Sequence, residues 1–411
     1  MSRRERGTPP GCNDGGVHRG VRARAEALLA AVALVAVMVA LAAPVASGVP
    51  TSGAGTGFYA PPDPLPKAPP GTLIRAEVIA APAGARAWRV LYHSRTLDGR
   101  DVAESGVVVA PAGPVPATGR PVVSWAHGTT GLADKCAPSR VPDVAANIPW
   151  ITDLVARGYV VAATDYEGLG TPGPHPYLVG ESEGRAVLDA ARAAGKFDAA
   201  GANDTVVVTG HSQGGQAALF AGEIAPDYAP ELDVRGVAAL APATELSSLF
   251  GIGQTRPEMQ GFVAMVAEGI RAAFPRADVD AVITPEADTA VEDLDGVACL
   301  FTTLAGFRDQ HITALQTDPN LVPSVRDALR RSTAGNVDTE IPVAVYQGGE
   351  DALVPAAATA AYVARACALG DPLTARVYPT ADHGGVLTAA APDLLRWLDD
   401  RIAGKPVVRT C

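Results

Sequence analysis

The run Asp204-Thr205-Val206-Val207-Val208-Thr209-Gly210-His211-Ser212-Gln213-Gly214-Gly215-Gln216-Ala217-Ala218-Leu219 constrains this chain more than any other stretch of it. Val206 to Val208 with flanking threonines read as a buried β-strand, and residues 214–225 read as a helix. Ser212 falls between them, bounded by glycines two positions before and two after. A serine on so sharp a strand-to-helix turn needs glycines there, because a Cβ would collide with the neighbouring backbone. Ser212 is therefore the candidate nucleophile.

The G-x-S-x-G spacing alone does not decide this, since Gly180-Glu181-Ser182-Glu183-Gly184 repeats it. Context separates the copies. Ser182 follows the proline-interrupted His175-Pro176-Tyr177-Leu178-Val179 instead of a β-branched run, and two carboxylates flank it that would oppose a developing oxyanion. Ser182 reads as the N-cap of the helix carrying Ala186, Val187, Leu188 and Ala191.

With 411 residues and 48% hydrophobic content, the chain can bury a large core, and no period marks a repeat architecture. The net charge of −11 lies in no single run, and no basic patch with interleaved aromatics occurs, so nucleic acid is not an expected partner. Residues 1–48 carry Arg3, Arg4, Arg6, Arg19, Arg22 and Arg24, then an apolar stretch from Ala27 to Ala43, then small residues around Ala46 to Gly48. This pattern predicts an export signal, with an uncleaved N-terminal anchor as the alternative. Export would remove Cys12 and leave Cys136, Cys299, Cys367 and Cys411. An even number in an exported chain favours two disulfides over four thiols, and the count leaves all pairings open.

Residues 49–70 are rich in proline and glycine and read as an extended lead-in. Strand-like runs then follow at 72–80, 87–94, 103–110, 122–126, 159–164, 205–209, 234–240, 341–347 and 374–378. The first three suggest an antiparallel start. Helical patterns at 147–157, 183–196 and 214–225 alternate with the later strands, which predicts an α/β fold with a mostly parallel sheet flanked by helices. About a hundred residues separate the strand before Pro242 from the one at Ile341, far more than a crossover needs. Residues 243–340, with amphipathic segments at 259–274 and 291–307, are read as a helical cap inserted between two parts of the core, 49–242 and 341–411. An ordinary second domain is the alternative.

A nucleophilic serine needs a base, a carboxylate to orient that base, and donors for the oxyanion. The strand ending at Tyr346 runs into Gly349-Glu350-Asp351, and the next runs into Asp382-His383-Gly384. Asp351 is the expected acid, with Glu350 in the same turn as its rival, and His383 is the expected base. Among the seven histidines, His18 lies in the export segment, His93 in the early strands, His175 between prolines and His311 in the insertion. His211 adjoins the nucleophile and is expected to point away from it. The backbone N–H groups of Gln213 and Thr129 are the expected oxyanion donors, with Thr130 in reserve, because His127-Gly128-Thr129-Thr130-Gly131 has the glycines that permit close approach. The pattern Gly168-Leu169-Gly170-Thr171-Pro172-Gly173 follows a strand, but Pro172 and Pro174 forbid the helix a pyrophosphate would need. No nicotinamide or other cofactor is expected, and no ligand spacing suggests a metal.

The order serine, acid, histidine on alternating strands and helices is that of an α/β-hydrolase. More specifically, the chain from about residue 57 onward resembles the secretory lipase family, which includes the yeast-type lipase A enzymes. The resemblance is carried by Pro70 to Arg75, Cys136-Ala137-Pro138-Ser139, Asp165-Tyr166-Glu167-Gly168, the Ser212 turn, and the Asp351 and His383 loops. It implies a triacylglycerol lipase or carboxylesterase with a helical cap over an acyl-binding tunnel, and disulfides Cys136–Cys299 and Cys367–Cys411. The His-Gly-Thr-Thr-Gly loop departs from the yeast-type members, which have a differently composed one.

The expected function is secreted serine ester hydrolysis of lipid substrates, with the apolar cap as the place of transient contact with a lipid interface. Short-chain esterase, acyltransferase, peptidase and a catalytically idle surface protein are the competing readings of the same fold.

Overall fold

The computed structural model describes residues 56–253, 256–294 and 298–411. The expected export segment lies outside the described residues. Among those described, no helix is long and apolar enough to cross a membrane.

A nine-stranded sheet, in the order β1-β2-β3-β5-β4-β6-β7-β8-β9, carries the molecule. Its strands are β1 (Leu73–Ile79), β2 (Ala85–Arg95), β3 (Asp101–Pro111), β4 (Arg120–Ala126), β5 (Val160–Thr164), β6 (Ala202–His211), β7 (Asp233–Leu240), β8 (Val343–Gly348) and β9 (Leu373–Tyr378). The strands β1, β2 and β3 pair antiparallel, as does β3 with β5; every pairing from β5 through β4 and β6 to β9 is parallel. Parallel strands are covered on both faces, so they read as continuous apolar runs. In β6, Val206 and Val208 enter the core on one face and Val207 the core on the other.

The helices are α1 (Val144–Asn147), α2 (Ile151–Ala156), α3 (Gly180–Gly195), α4 (Gln213–Tyr228), α5 (Leu246–Gly253), α6 (Gln260–Ala273), α7 (Pro285–Leu294), α8 (Leu300–Asp309), α9 (Pro323–Arg331), α10 (Ala356–Leu369), α11 (Gly385–Ala389) and α12 (Ala391–Ile402). Residues of α3, α4 and α10 share one core with the sheet; residues of α1, α2, α11 and α12 share the other. The helix expected at 147–157 is shorter, because Trp150 adopts φ 56° immediately before α2. Helices α5 to α9 lie between β7 and β8 and form a third apolar cluster, which also takes in Tyr177, Leu178, Val354 and Ala358.

The lead-in is not merely extended: Phe58 and Tyr59 are buried against Leu91 and Ala103. The Tyr59 ring also sits 3.6 Å from the Arg140 guanidinium, and its hydroxyl is 3.0 Å from Ser139 Oγ. Within the amphipathic stretch 291–307, α8 starts at Leu300, where Cys299 is bonded to Cys136 and the Leu300 N–H donates to the Thr130 carbonyl at 2.8 Å.

Both disulfides implied by the family resemblance are present, Cys136–Cys299 and Cys367–Cys411. They close loops of 163 and 44 residues. Chain entropy then assigns them about 5 and about 4 kcal/mol as upper bounds. Cys136→Ser/Cys299→Ser is accordingly expected to lower the denaturant midpoint more than Cys367→Ser/Cys411→Ser does, read by equilibrium unfolding in urea without reductant. A larger loss from the second pair would contradict the ranking.

Candidate active site

Ser212 occupies the turn between β6 and α4 with φ 60° and ψ −117°. A non-glycine residue in that region costs about 1–3 kcal/mol and persists only where its surroundings over-determine it. Here the Ser212 N–H donates to the Leu240 carbonyl at 2.9 Å, while its own carbonyl accepts from the N–H groups of Gln216 and Ala243 at 3.1 and 3.2 Å. The glycines make the turn possible. A Cβ on Gly210 would lie 2.1 Å from the Gly214 carbonyl oxygen, and one on Gly214 would lie 2.0 Å from that of Ala126.

The second G-x-S-x-G is a packing motif. A Cβ on Gly180 would strike the Phe220 ring at 2.0 Å, and one on Gly184 would meet Ala221 N at 2.9 Å, so these glycines let α3 lie close against α4. Ser182 is buried within the first turn of α3 and is not its N-cap, since the helix already begins at Gly180. Its hydroxyl donates to Glu167 Oε2 at 2.7 Å.

Because β6, β8 and β9 run parallel, the loops after them emerge at one edge of the sheet, where α/β proteins build their sites. His383 Nδ1 lies 2.7 Å from Asp351 Oδ2. A carboxylate only accepts, so Nδ1 carries the proton and Nε2 is left with its lone pair. Asp351 Oδ1 accepts from the Leu353 and Val354 N–H groups at 2.9 and 2.8 Å, and Oδ2 accepts also from Gln347 Nε2 at 3.1 Å. Burial pushes the Asp351 carboxyl up, but the His383 bond and charge and the two amides outweigh it, so it is held below the usual carboxylate range. Glu350 is exposed in the same turn.

His211 does not point away from the site, as its place beside the nucleophile suggested. Its Nε2 lies 2.7 Å from the His383 carbonyl, and the two rings pack with centroids 4.6 Å apart. Burial and the nearby His383 lower its pKa to about 4, so it is uncharged at neutral pH and fixes the loop that carries His383.

Ser212, Gln213, Thr129, His211 and His383 all line a cavity of about 470 Å³. Most of its wall is apolar, including Leu246, Phe250, Met259, Phe262, Val263 and Val266 from the insertion. A Cβ on Gly128 would lie 3.7 Å from Ser212 Cβ, so the 127–131 loop runs directly beside the serine. Thr129 Oγ1 is 2.7 Å from the Tyr177 hydroxyl at the cavity wall, whereas the Thr130 carbonyl is occupied by Leu300. The loop at 168–173 is followed by no helix before Gly180, and His175 just after it is buried.

A serine and a carboxylate-bound imidazole on the wall of a mostly apolar cavity suit acyl chemistry on a hydrophobic substrate. A family model described as secretory lipase matches residues 140–410. The chain belongs to the secretory lipase family. Among relatives of this family, a probable inactive lipase of Mycobacterium tuberculosis is 25% identical over 377 residues, covering 85% of this chain and 82% of that protein. A secreted triacylglycerol lipase of Malassezia globosa is 27% identical, covering 86% of this chain and 82% of that one. The closed-state structure of Candida antarctica lipase A superposes with a TM-score of 0.73 at 22% identity, covering 86% of this chain and 87% of that chain, and shows the common fold. As a secretory lipase family member with an α/β-hydrolase fold, the chain is a hydrolase of the lipase and esterase class.

Proposed function

We propose that this protein is an exported serine hydrolase that cleaves lipid acyl esters, triacylglycerols foremost, through an acyl-enzyme on Ser212. Ser212 Oγ attacks the ester carbonyl as His383 Nε2 removes its proton, and Asp351 stabilises the imidazolium through Nδ1–H. The N–H groups of Gln213 and Thr129 take the negative charge that develops on the acyl oxygen. His383 then protonates the departing alcohol, and water repeats the sequence to release the acid.

The observation that carries this reading is that the Asp351-bound His383 and Ser212 line one mostly apolar cavity. The helices of 243–340 act as a cap that receives the acyl chain. Phe301, at the cavity wall and 83% exposed, marks where that cap would meet a lipid surface. Export is supported by the arginine-rich, apolar 1–48 segment and by two disulfides of the kind that persist in oxidising compartments.

The test is hydrolysis of p-nitrophenyl esters from acetate to palmitate and of an emulsified triglyceride, with Ser212→Ala as control. Long-chain and emulsion activity is expected. Activity confined to short soluble esters would make the protein a carboxylesterase, and none on any ester would place it with its probable inactive relative. Ester products formed on adding an acceptor alcohol would indicate acyl transfer.

A further inference from the structure

The chemistry above gives Glu183 no task, although its carboxyl lies directly behind the residue that follows Ser212. Glu183 is 1% exposed in the first turn of α3. Its Oε1 accepts from the Gln213 side-chain amide at 2.7 Å and from the Leu178 N–H at 2.9 Å. The same Gln213 nitrogen lies 3.2 Å from His175 Nε2. His175 Nδ1 is 2.8 Å from the Glu167 carbonyl, which can only accept, so Nδ1 bears the proton and Nε2 accepts from Gln213. Gln213 therefore uses both amide hydrogens on buried groups 30 and 38 residues away in sequence. Any turn of the backbone at Gln213 would strain both bonds.

We infer that Glu183 and His175 are positioning residues of the oxyanion site, two uncharged groups that clamp the Gln213 side chain and so hold its backbone N–H toward the acyl oxygen. This rests on the proposed roles of Ser212 and of the Gln213 N–H. Charge matters because an ionised carboxylate behind that donor would oppose the oxyanion it stabilises. The groups facing Glu183 are the Tyr166 and Tyr177 phenols, His175 and the Gln213 amide. None of them supplies a cation: His175 comes within 4.0 Å, but burial lowers its pKa to about 3. Glu183 Oε2 is buried without a hydrogen-bond partner among the described residues, a position far costlier for a charged oxygen than for a neutral one. Burial accordingly raises the Glu183 pKa to about 8, against the opposing bonds from Gln213 and Leu178. The clamp is thus neutral at neutral pH and ionises as pH rises through that value.

The test is kcat and KM for a soluble ester from about pH 5 to about pH 10 in wild type, Glu183→Gln and Glu183→Leu, with unfolding midpoints alongside. The wild type is expected to lose kcat/KM along an alkaline limb near the Glu183 value. Glu183→Gln keeps the acceptor but cannot ionise, so its limb moves up by more than about one pH unit. Glu183→Leu removes the acceptor and lowers kcat about tenfold at low pH with KM within about twofold, as loss of orientation at an oxyanion donor requires. An alkaline limb unmoved in Glu183→Gln, or an unchanged kcat in Glu183→Leu, would overturn the inference. Where either variant fails to fold, His175→Asn carries the test, because it too must lower kcat with KM little changed. Loss of activity in Ser212→Ala with an unmoved limb sinks the clamp alone; an active Ser212→Ala sinks the reading beneath it.

Discussion

Ser212→Ala is expected to lower kcat on a soluble ester by about 10⁴-fold or more, leaving the residual rate that substrate binding and oxyanion donors give without a nucleophile. The protein should stay folded. Alanine keeps every backbone bond of the turn, including the Ser212 N–H to the Leu240 carbonyl, and removes only the hydroxyl that faces the cavity. Ser182→Ala is the matched control, because it sits in the same five-residue spacing. There the lost hydroxyl leaves Glu167 Oε2 without its donor in a part-buried place, so the expected cost is about 1 kcal/mol of stability. A folded Ser182→Ala protein that lost as much activity as Ser212→Ala would overturn the choice of nucleophile.

The two serines also mark what local sequence can and cannot convey. The Ser212 turn is legible because its requirements are local: a β-branched buried strand, glycines where a Cβ would meet the opposing backbone, and a helix beginning at the next residue. The strands are legible for a related reason, since burial on both faces forces apolar runs such as Val206 to Val208. Ser182 shows the limit. Its glycines answer to the Phe220 ring of another helix, a contact that no window around residue 182 reveals. His211 is a similar case, because its direction is fixed by the carbonyl of His383, 172 residues away. Gln347, which braces Asp351, and the Glu183–Gln213–His175 cluster were likewise hidden. The cluster residues act only once separate elements meet, whereas Gln347 reaches Asp351 four residues on, across the turn after β8, through an amide that carries no sequence signature. The burial of Phe58 and Tyr59 within a proline-rich stretch follows the same rule, as composition reports chain stiffness and not what the chain is laid against.

Asp351→Asn is expected to be almost as damaging as the loss of the serine, and the surrounding hydrogen bonds say why. Oδ1 is claimed by two backbone donors, Leu353 N–H at 2.9 Å and Val354 N–H at 2.8 Å, so that position must remain an acceptor. The asparagine NH₂ is then forced into the place of Oδ2, where it confronts the His383 Nδ1–H and the Gln347 amide at once. The imidazole relieves the conflict by moving its proton to Nε2, which turns the nitrogen proposed to act as base into a donor. A rate loss of about 10⁴-fold follows at neutral pH, with KM little changed, because the geometry survives and only the tautomer is wrong. Glu350→Gln, one residue earlier but exposed, should keep kcat within about twofold, since a solvated side chain away from the imidazole holds no tautomer. Steady-state kinetics on the two variants therefore separate neighbouring carboxylates in one turn. A loss smaller than about tenfold in Asp351→Asn, or a comparable loss in Glu350→Gln, would show that the acid which orients His383 in solution is not Asp351.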